Sequence, residues 1–141
     1  MMNRRELSAI LAGATAQEVE AAAQEIKDTC EIQILKQPQK TLVMVKVRES
    51  VKKSLFYLGE ILATECMVTV NGKKGANVMA GDDFDKCISA AVIDGFLNDE
   101  TQDHSRVLEQ IRKLGEKQKR EREKLNRQLR KSKVNFNVMG E

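Results

Sequence analysis

At the N-terminal end, apolar positions recur at helical spacing behind two local start signals of the same form. Asn3 is followed three residues later by Glu6, and Thr15 by Glu18. In such a pair the first side chain accepts from the third helical amide, while the acid reaches back to the cap's own amide. Leu7, Ile10 and Leu11 mark one face behind the first cap, and Gly13 offers a stop. Val19, Ala22, Ala23, Ile26 and Cys30 form a stripe behind the second, with polar residues between. The pattern predicts a short helix packed beside a longer one.

The period then changes. Ile32 and Ile34 alternate with Glu31 and Gln33, Pro38 marks a loop, and Leu42-Val43-Met44-Val45-Lys46-Val47-Arg48 reads as a strand with Val43, Val45 and Val47 on one face. Residues 55–58 and 64–70 read as further strands, with Gly59 between them at a bulge or bend. Asn71-Gly72-Lys73-Lys74-Gly75 supplies the turn of a hairpin, and residues 76–80 its return strand. The connections are too short for crossovers, so the sheet is mostly antiparallel.

Helical spacing resumes after Gly81. Asp82 or Asp83 caps a helix whose first turn is acidic, which suits the positive N-terminal end of the helix dipole, and Phe84, Cys87, Ile88, Ala91, Val92 and Gly95 mark its buried face. A long helix follows from about Gln102, with Val107, Leu108, Ile111 and Leu114 on one stripe. That stripe is empty from Gly115 to Lys124 and resumes thinly at Leu125 and Leu129. Such a helix either projects into water or lies on a partner. The tail Val134-Asn135-Phe136-Asn137-Val138-Met139 alternates strictly, as a half-buried strand does. The expectation is therefore an α+β fold: a mostly antiparallel sheet with packed helices, a long charged C-terminal helix and a terminal strand. Residues 1–101 form the body, and residues 102–141 the charged helical arm with its strand.

Length and composition support one packed unit, since 141 residues with 41% hydrophobic and 32% charged content fall in the range of a single globular domain. Charge changes the picture more. The total is +3, yet residues 112–133 hold eleven basic and three acidic side chains, a balance of +8, which leaves −5 for the remainder. An acidic body carries a basic arm. Apolar runs stay short of the roughly 18 to 20 residues that cross a bilayer, and the start MMNRREL lacks a signal-peptide core, so a soluble cytoplasmic protein with no membrane partner is expected. Cys30, Cys66 and Cys87 are odd in number and lack a CxxC pair, which speaks against a disulfide framework and against zinc.

Chemistry-bearing residues are sparse. Asp82, Asp83 and Asp85 have the carboxylates for magnesium or calcium, but helix capping accounts for them, and no metal site is expected. Glu60 and Glu65 lie in or beside strands, without the paired placement that acid-base work needs. His104 sits between Asp103 and Ser105 on a helix, where neighbours point in different directions, so it reads as a solvated side chain and not part of a triad. Gly72-Lys73-Lys74-Gly75 is a hairpin turn and not a phosphate loop. No catalytic residue emerges. The basic arm suits either nucleic-acid phosphates or an acidic protein surface; with no aromatic between residues 102 and 133 to stack on bases, a protein partner or solvent is favoured.

Taken in order, Thr41-Leu42-Val43-Met44-Val45, Phe56-Tyr57-Leu58-Gly59-Glu60, Thr64-Glu65-Cys66-Met67-Val68, Gly75, Gly81-Asp82 and Ala90-Ala91-Val92-Ile93-Asp94-Gly95 resemble the PhnG family, the G subunits of the bacterial carbon-phosphorus lyase system. Asn3-Arg4-Arg5, Leu11-Ala12 and the tail residues Val134, Phe136 and Met139 extend the resemblance over nearly the whole chain. The chain departs from the family's usual residues at Tyr57 and in its tail.

The resemblance implies a subunit of a transferase complex, inactive alone, beside H, I and J subunits. That complex attaches an alkylphosphonate to the ribose C1 of ATP and releases adenine, with the nucleosidase step assigned mainly to the I subunit; ATP and magnesium belong to the complex and no cofactor to this chain. Phe56, Gly59 and Glu60 become the candidates for lying beside the active site. Leu125, Leu129, Val134, Phe136 and Met139 are the candidate contacts with the I subunit or with a second copy. The competing reading is a small nucleic-acid-binding or regulatory protein that uses the basic helix.

Overall fold

The computed structural model describes the backbone of residues 3–48 and 55–139, and the side chains of residues 3–46 and 59–131. Within them the order is α1 (Arg4–Gly13), α2 (Ala16–Thr29), β1 (Ile32–Arg48), β2 (Leu55–Val70), β3 (Lys73–Ala80), α3 (Phe84–Leu97) and α4 (Ser105–Met139). The α+β expectation holds: four helices pack with one antiparallel sheet of order β1-β2-β3.

The helix starts form where local chemistry places them. Asn3 Oδ1 accepts the Glu6 amide at 2.9 Å. Thr15 and Glu18 complete a reciprocal box, with Thr15 Oγ1 accepting the Glu18 amide at 3.2 Å and Glu18 accepting the Thr15 amide at 2.9 Å. Asp83 caps α3 by accepting the Lys86 amide at 3.0 Å. α4 begins at Ser105, three residues later than expected, because Asp103 accepts both the Ser105 amide and its hydroxyl and so sets the first turn.

Strand β1 runs through Pro38, where a loop was expected. It is an edge strand, and its register against β2 slips between Ile34 and Lys36 and again between Lys36 and Gln39. A bulged edge tolerates the missing proline amide, so the strand survives. Strand β2 is likewise continuous, and the bulge expected at Gly59 is present: Val45 pairs with Gly59 and Lys46 with Tyr57, leaving Leu58 as the extra residue. The β2-β3 turn is tighter than expected. Only Asn71 (φ 48°) and Gly72 (φ 83°) form it, both in the left-handed region that a two-residue primed turn requires, while residues 73–75 already belong to β3. Asn71 also ties down the start of β1, exchanging bonds with Glu31 at 2.9 Å through its amide and its side-chain oxygen.

One face of the sheet is covered by α3, and α2 packs on α3. Sandwiched in this way, α3 is buried almost all round, at Cys87, Ser89, Ala90, Ala91, Val92, Ile93, Gly95 and Phe96. The expected face was too narrow, and Phe84 in the first turn is exposed. Val19, Ala22, Ala23 and Ile26 of α2 meet Val68 and Val70 of β2 and Val107 and Ile111 of α4 in one apolar core.

The terminal strand expected over residues 134–139 does not form; the backbone there continues α4 as helix. An extended tail needs a neighbouring strand for its amides and carbonyls, whereas a helix satisfies them internally.

Candidate functional site

Three features of the described surface stand out. The first is the outer part of the β1-β2 hairpin. Strand β3 ends at Ala80, opposite Ala63, so beyond that point β1 and β2 pair only with each other in this sheet. The register puts Leu42 opposite Leu62 and Val43 opposite Ile61. Adjacent strand residues point to opposite faces, so each pair lies on its own face. All four are exposed, at 61%, 43%, 40% and 47% respectively, and so is Met44 at 53%. Gly59 and Glu60 lie on this segment, with Glu60 opposite Met44 and exposed to solvent.

The second feature is α4. Val107 and Ile111 are buried and Leu114 half-buried against the body. The stripe was expected to be empty after Leu114, yet contact continues for one more turn. Gly115 lets Ile10 approach so closely that a Cβ there would lie 2.8 Å from Ile10 Cδ1, and Gln118 donates to the Ile10 carbonyl at 2.9 Å. Lys117 reaches Glu18 at 3.1 Å, which ties α4 to the cap of α2. From residue 119 to 131 every side chain is exposed. At 100° per residue, Leu125 and Leu129 prolong the line of Val107, Ile111 and Leu114, while Lys119, Arg120, Lys124, Arg127, Arg130 and Lys131 occupy the opposite arc. The apolar line that packs on the body therefore continues past it.

The third is a cavity of about 430 Å³ between α1, α3, the start of α4 and the outer edge of β3. Arg4, Asp94, Asn98 and His104 on its wall are engaged with one another or with the backbone. Arg4 pairs with Asp94 at 3.2 Å and also bonds Asn98. Asp94 accepts the Ala76 amide at 3.0 Å, and Asn98 donates to the Lys74 carbonyl at 2.8 Å, so α3 caps the upper half of the β3 edge. His104 is half-buried here, contrary to the solvated placement expected: Nε2 donates to the Asp99 carbonyl at 2.7 Å, and the ring stands edge-on to Phe96. Asp99 is itself held below the usual carboxylate range by bonds from the Thr101 hydroxyl and amide. His104 thus secures the α3-α4 connection.

A family model described as phosphonate metabolism protein PhnG matches residues 2–140. The chain belongs to the PhnG family. Its role accordingly lies in phosphonate metabolism, and the resemblance read from the ordered motifs is confirmed over nearly the full length. No curated protein matches the sequence at a significant level.

Within this PhnG-family chain, Gly59 and Glu60 stand on the projecting hairpin, away from the cavity. The Phe56 side chain lies outside the described residues, as do the side chains of Val134, Phe136 and Met139. Leu125 and Leu129 are exposed at 54% and 57% on the arm. Sequence reasoning missed the exposure of the hairpin. Its signal was present in the unbroken apolar runs Leu42-Val43-Met44-Val45 and Ile61-Leu62-Ala63, which are written for burial on both faces.

Glu65, one of the acids weighed for catalysis, accepts from Lys36 at 2.6 Å and from Gln39 at 3.0 Å, and these two bonds hold its carboxyl below the usual range. Cys66 and Cys87 are both buried, with sulfurs 3.4 Å apart. The hydrogen bond to Cys87, then burial, pushes the Cys66 thiol up, so it stays protonated. Among the described residues no helix is long and apolar enough to cross a membrane.

Proposed function

We propose that this chain is a noncatalytic subunit of the carbon-phosphorus lyase core, and that it supports the transfer of an alkylphosphonate to the ribose C1 of ATP with release of adenine. In this reading it assembles with H, I and J subunits, and ATP and magnesium are bound by the complex and not by this chain alone. Family membership supplies the metabolic context. The observation that carries the assembly role is the line of Leu125 and Leu129, which prolongs the packed stripe of α4 beyond the body at more than half exposure. A helix with an apolar line on one side and a basic arc on the other, standing free of its own core, is completed by a surface that supplies apolar contact beside the body and negative charge across from it.

Co-expression with the H, I and J subunits, with and without the residues after Gln118, where packing on the body ends, tests the reading. The full chain is expected to co-purify in the complex and the truncated chain to be lost from it; undiminished incorporation of the truncated chain would sink the arm's role. The exposed basic arc on α4 is what favours the nucleic-acid reading. That alternative predicts binding to DNA or RNA that weakens with salt at a log-log slope of about −0.9 per phosphate contacted.

A further inference from the structure

On the projecting hairpin, large apolar side chains are exposed on both faces. Leu42, Met44, Leu62 and Glu60 lie on the face that continues the helix-covered side of the sheet; Val43 and Ile61 lie on the other. Among the described side chains of β2, buried positions stop at Ala63 and Thr64, where β3 ends its cover. A two-stranded hairpin is marginal in water by itself, and exposing apolar side chains on both faces adds a solvation cost that a monomer does not recover.

The choice of occupant follows from symmetry. A second copy packed hairpin against hairpin about a twofold axis would use the same face on each chain and leave the opposite face wet. Covering both faces at once takes two walls. We propose that residues 41–45 and 59–63 insert as a tongue into a cleft of a different polypeptide, with one apolar wall against Leu42, Met44 and Leu62 and another against Val43 and Ile61. Face-to-face packing of about 10 Å on each side sets the cleft at about 20 Å between the backbones of its walls. Exposed Lys40 and Lys46 flank the inserted segment as polar margins of the kind that rim an interface, and the wall facing Leu42, Met44 and Leu62 must give the Glu60 carboxylate, on the same face, a polar partner. This inference rests on the assembly reading above, and it concerns a different segment from the α4 arm.

Hydroxyl-radical footprinting tests it on the full chain, once as the purified protein alone and once inside cells of its own source, with co-purification of the H, I and J subunits followed in parallel. In the isolated chain both faces are expected to be labelled. In cells, labelling at Leu42, Met44 and Leu62 and at Val43 and Ile61 is expected to fall at least tenfold together. Protection of one face only overturns the cleft, whatever the partner. Protection of both faces in the purified chain alone, with a sedimentation coefficient above that of a monomer, overturns it in favour of self-assembly. Protection of both faces in cells without the H, I and J subunits leaves the cleft standing and removes the proposed complex. Unprotected faces in a chain that does co-purify with those subunits remove the cleft and leave the complex. Ile61→Glu and Leu62→Glu, one on each face, are each expected to reduce incorporation at least tenfold while the purified variants keep the parent's melting temperature; normal incorporation of either variant counts against the proposal.

Discussion

Gly75 of β3 and Gly95 of α3 touch backbone to backbone. A Cβ on Gly75 would lie 2.3 Å from the Gly95 nitrogen and 2.2 Å from the Ala91 carbonyl oxygen, and one on Gly95 would lie 2.8 Å from Val70 Cγ2. This approach seats α3 deep enough on the sheet for Asp94 to reach the Ala76 amide and Asn98 the Lys74 carbonyl.

Gly75→Ala is therefore expected to be among the most damaging small substitutions in the chain. The obstructing atoms are main chain and do not swing aside, so the cost is about 3 kcal/mol or more, at the upper end of overpacking effects. Thermal denaturation should show a melting temperature lower by about 10 °C; a melt within about 2 °C of the parent would contradict the contact.

Gly115→Ala makes the opposite case. Its nearest obstruction is Ile10 Cδ1, the end of a flexible side chain, and alanine favours a helix over glycine by about 1 kcal/mol. The two effects offset, and stability is expected to stay within about 1 kcal/mol of the parent. A loss as large as that of Gly75→Ala would show that α1 and α4 are more rigidly packed than the contact implies.

Glu18 links α2 to α4. The bond from the Thr15 amide, then that from Lys117, holds its carboxyl below the ordinary glutamate value. A carboxylate depressed in the folded state stabilises the fold above its unfolded value of about 4.3 and loses that contribution as pH falls through the lower folded value. Glu18→Gln keeps an oxygen for the Thr15 amide but removes the charge. Urea denaturation should find the variant less stable at pH 7, with the gap closing below pH of about 4. A gap that is the same at both pH values would show that charge plays no part.

Leu125→Glu combined with Leu129→Glu should leave the isolated chain's stability within about 0.5 kcal/mol, since both residues are exposed there. The same pair is expected to abolish co-purification with the H, I and J subunits. Retention of the variant in the complex would move the interface off this line of α4.

The thiols report on the core. Cys30 is half-buried, while Cys66 and Cys87 are enclosed between β2 and α3. Ellman's reagent should modify Cys30 rapidly, and the other two should react orders of magnitude more slowly, at the rate set by unfolding. Fast reaction of all the thiols would mean that α3 lifts from the sheet under native conditions.

The sequence by itself determined the helix starts at Asn3 and Thr15, a third start at Asp82 or Asp83, a hairpin turn within residues 71–75 and a bulge or bend at Gly59, because each is decided by bonds and dihedral preferences within a few residues. It also carried the ordered motifs that mark the family, and the apolar line of Leu125 and Leu129. Tertiary structure decided what depends on distant neighbours. Pro38 stays in a strand because β1 is an edge, and Gly75 belongs to a strand pressed against α3 rather than to a turn. His104 is half-buried because Phe96 and the Asp99 carbonyl come to it. The alternation of residues 134–139 writes a strand, yet with no neighbouring strand among the described residues the backbone closes its bonds as helix. The runs at Leu42 and Ile61 likewise specify burial on both faces, and only the fold reveals that nothing among the described residues covers them, since local pattern sets which face is apolar while the covering surface is supplied through space.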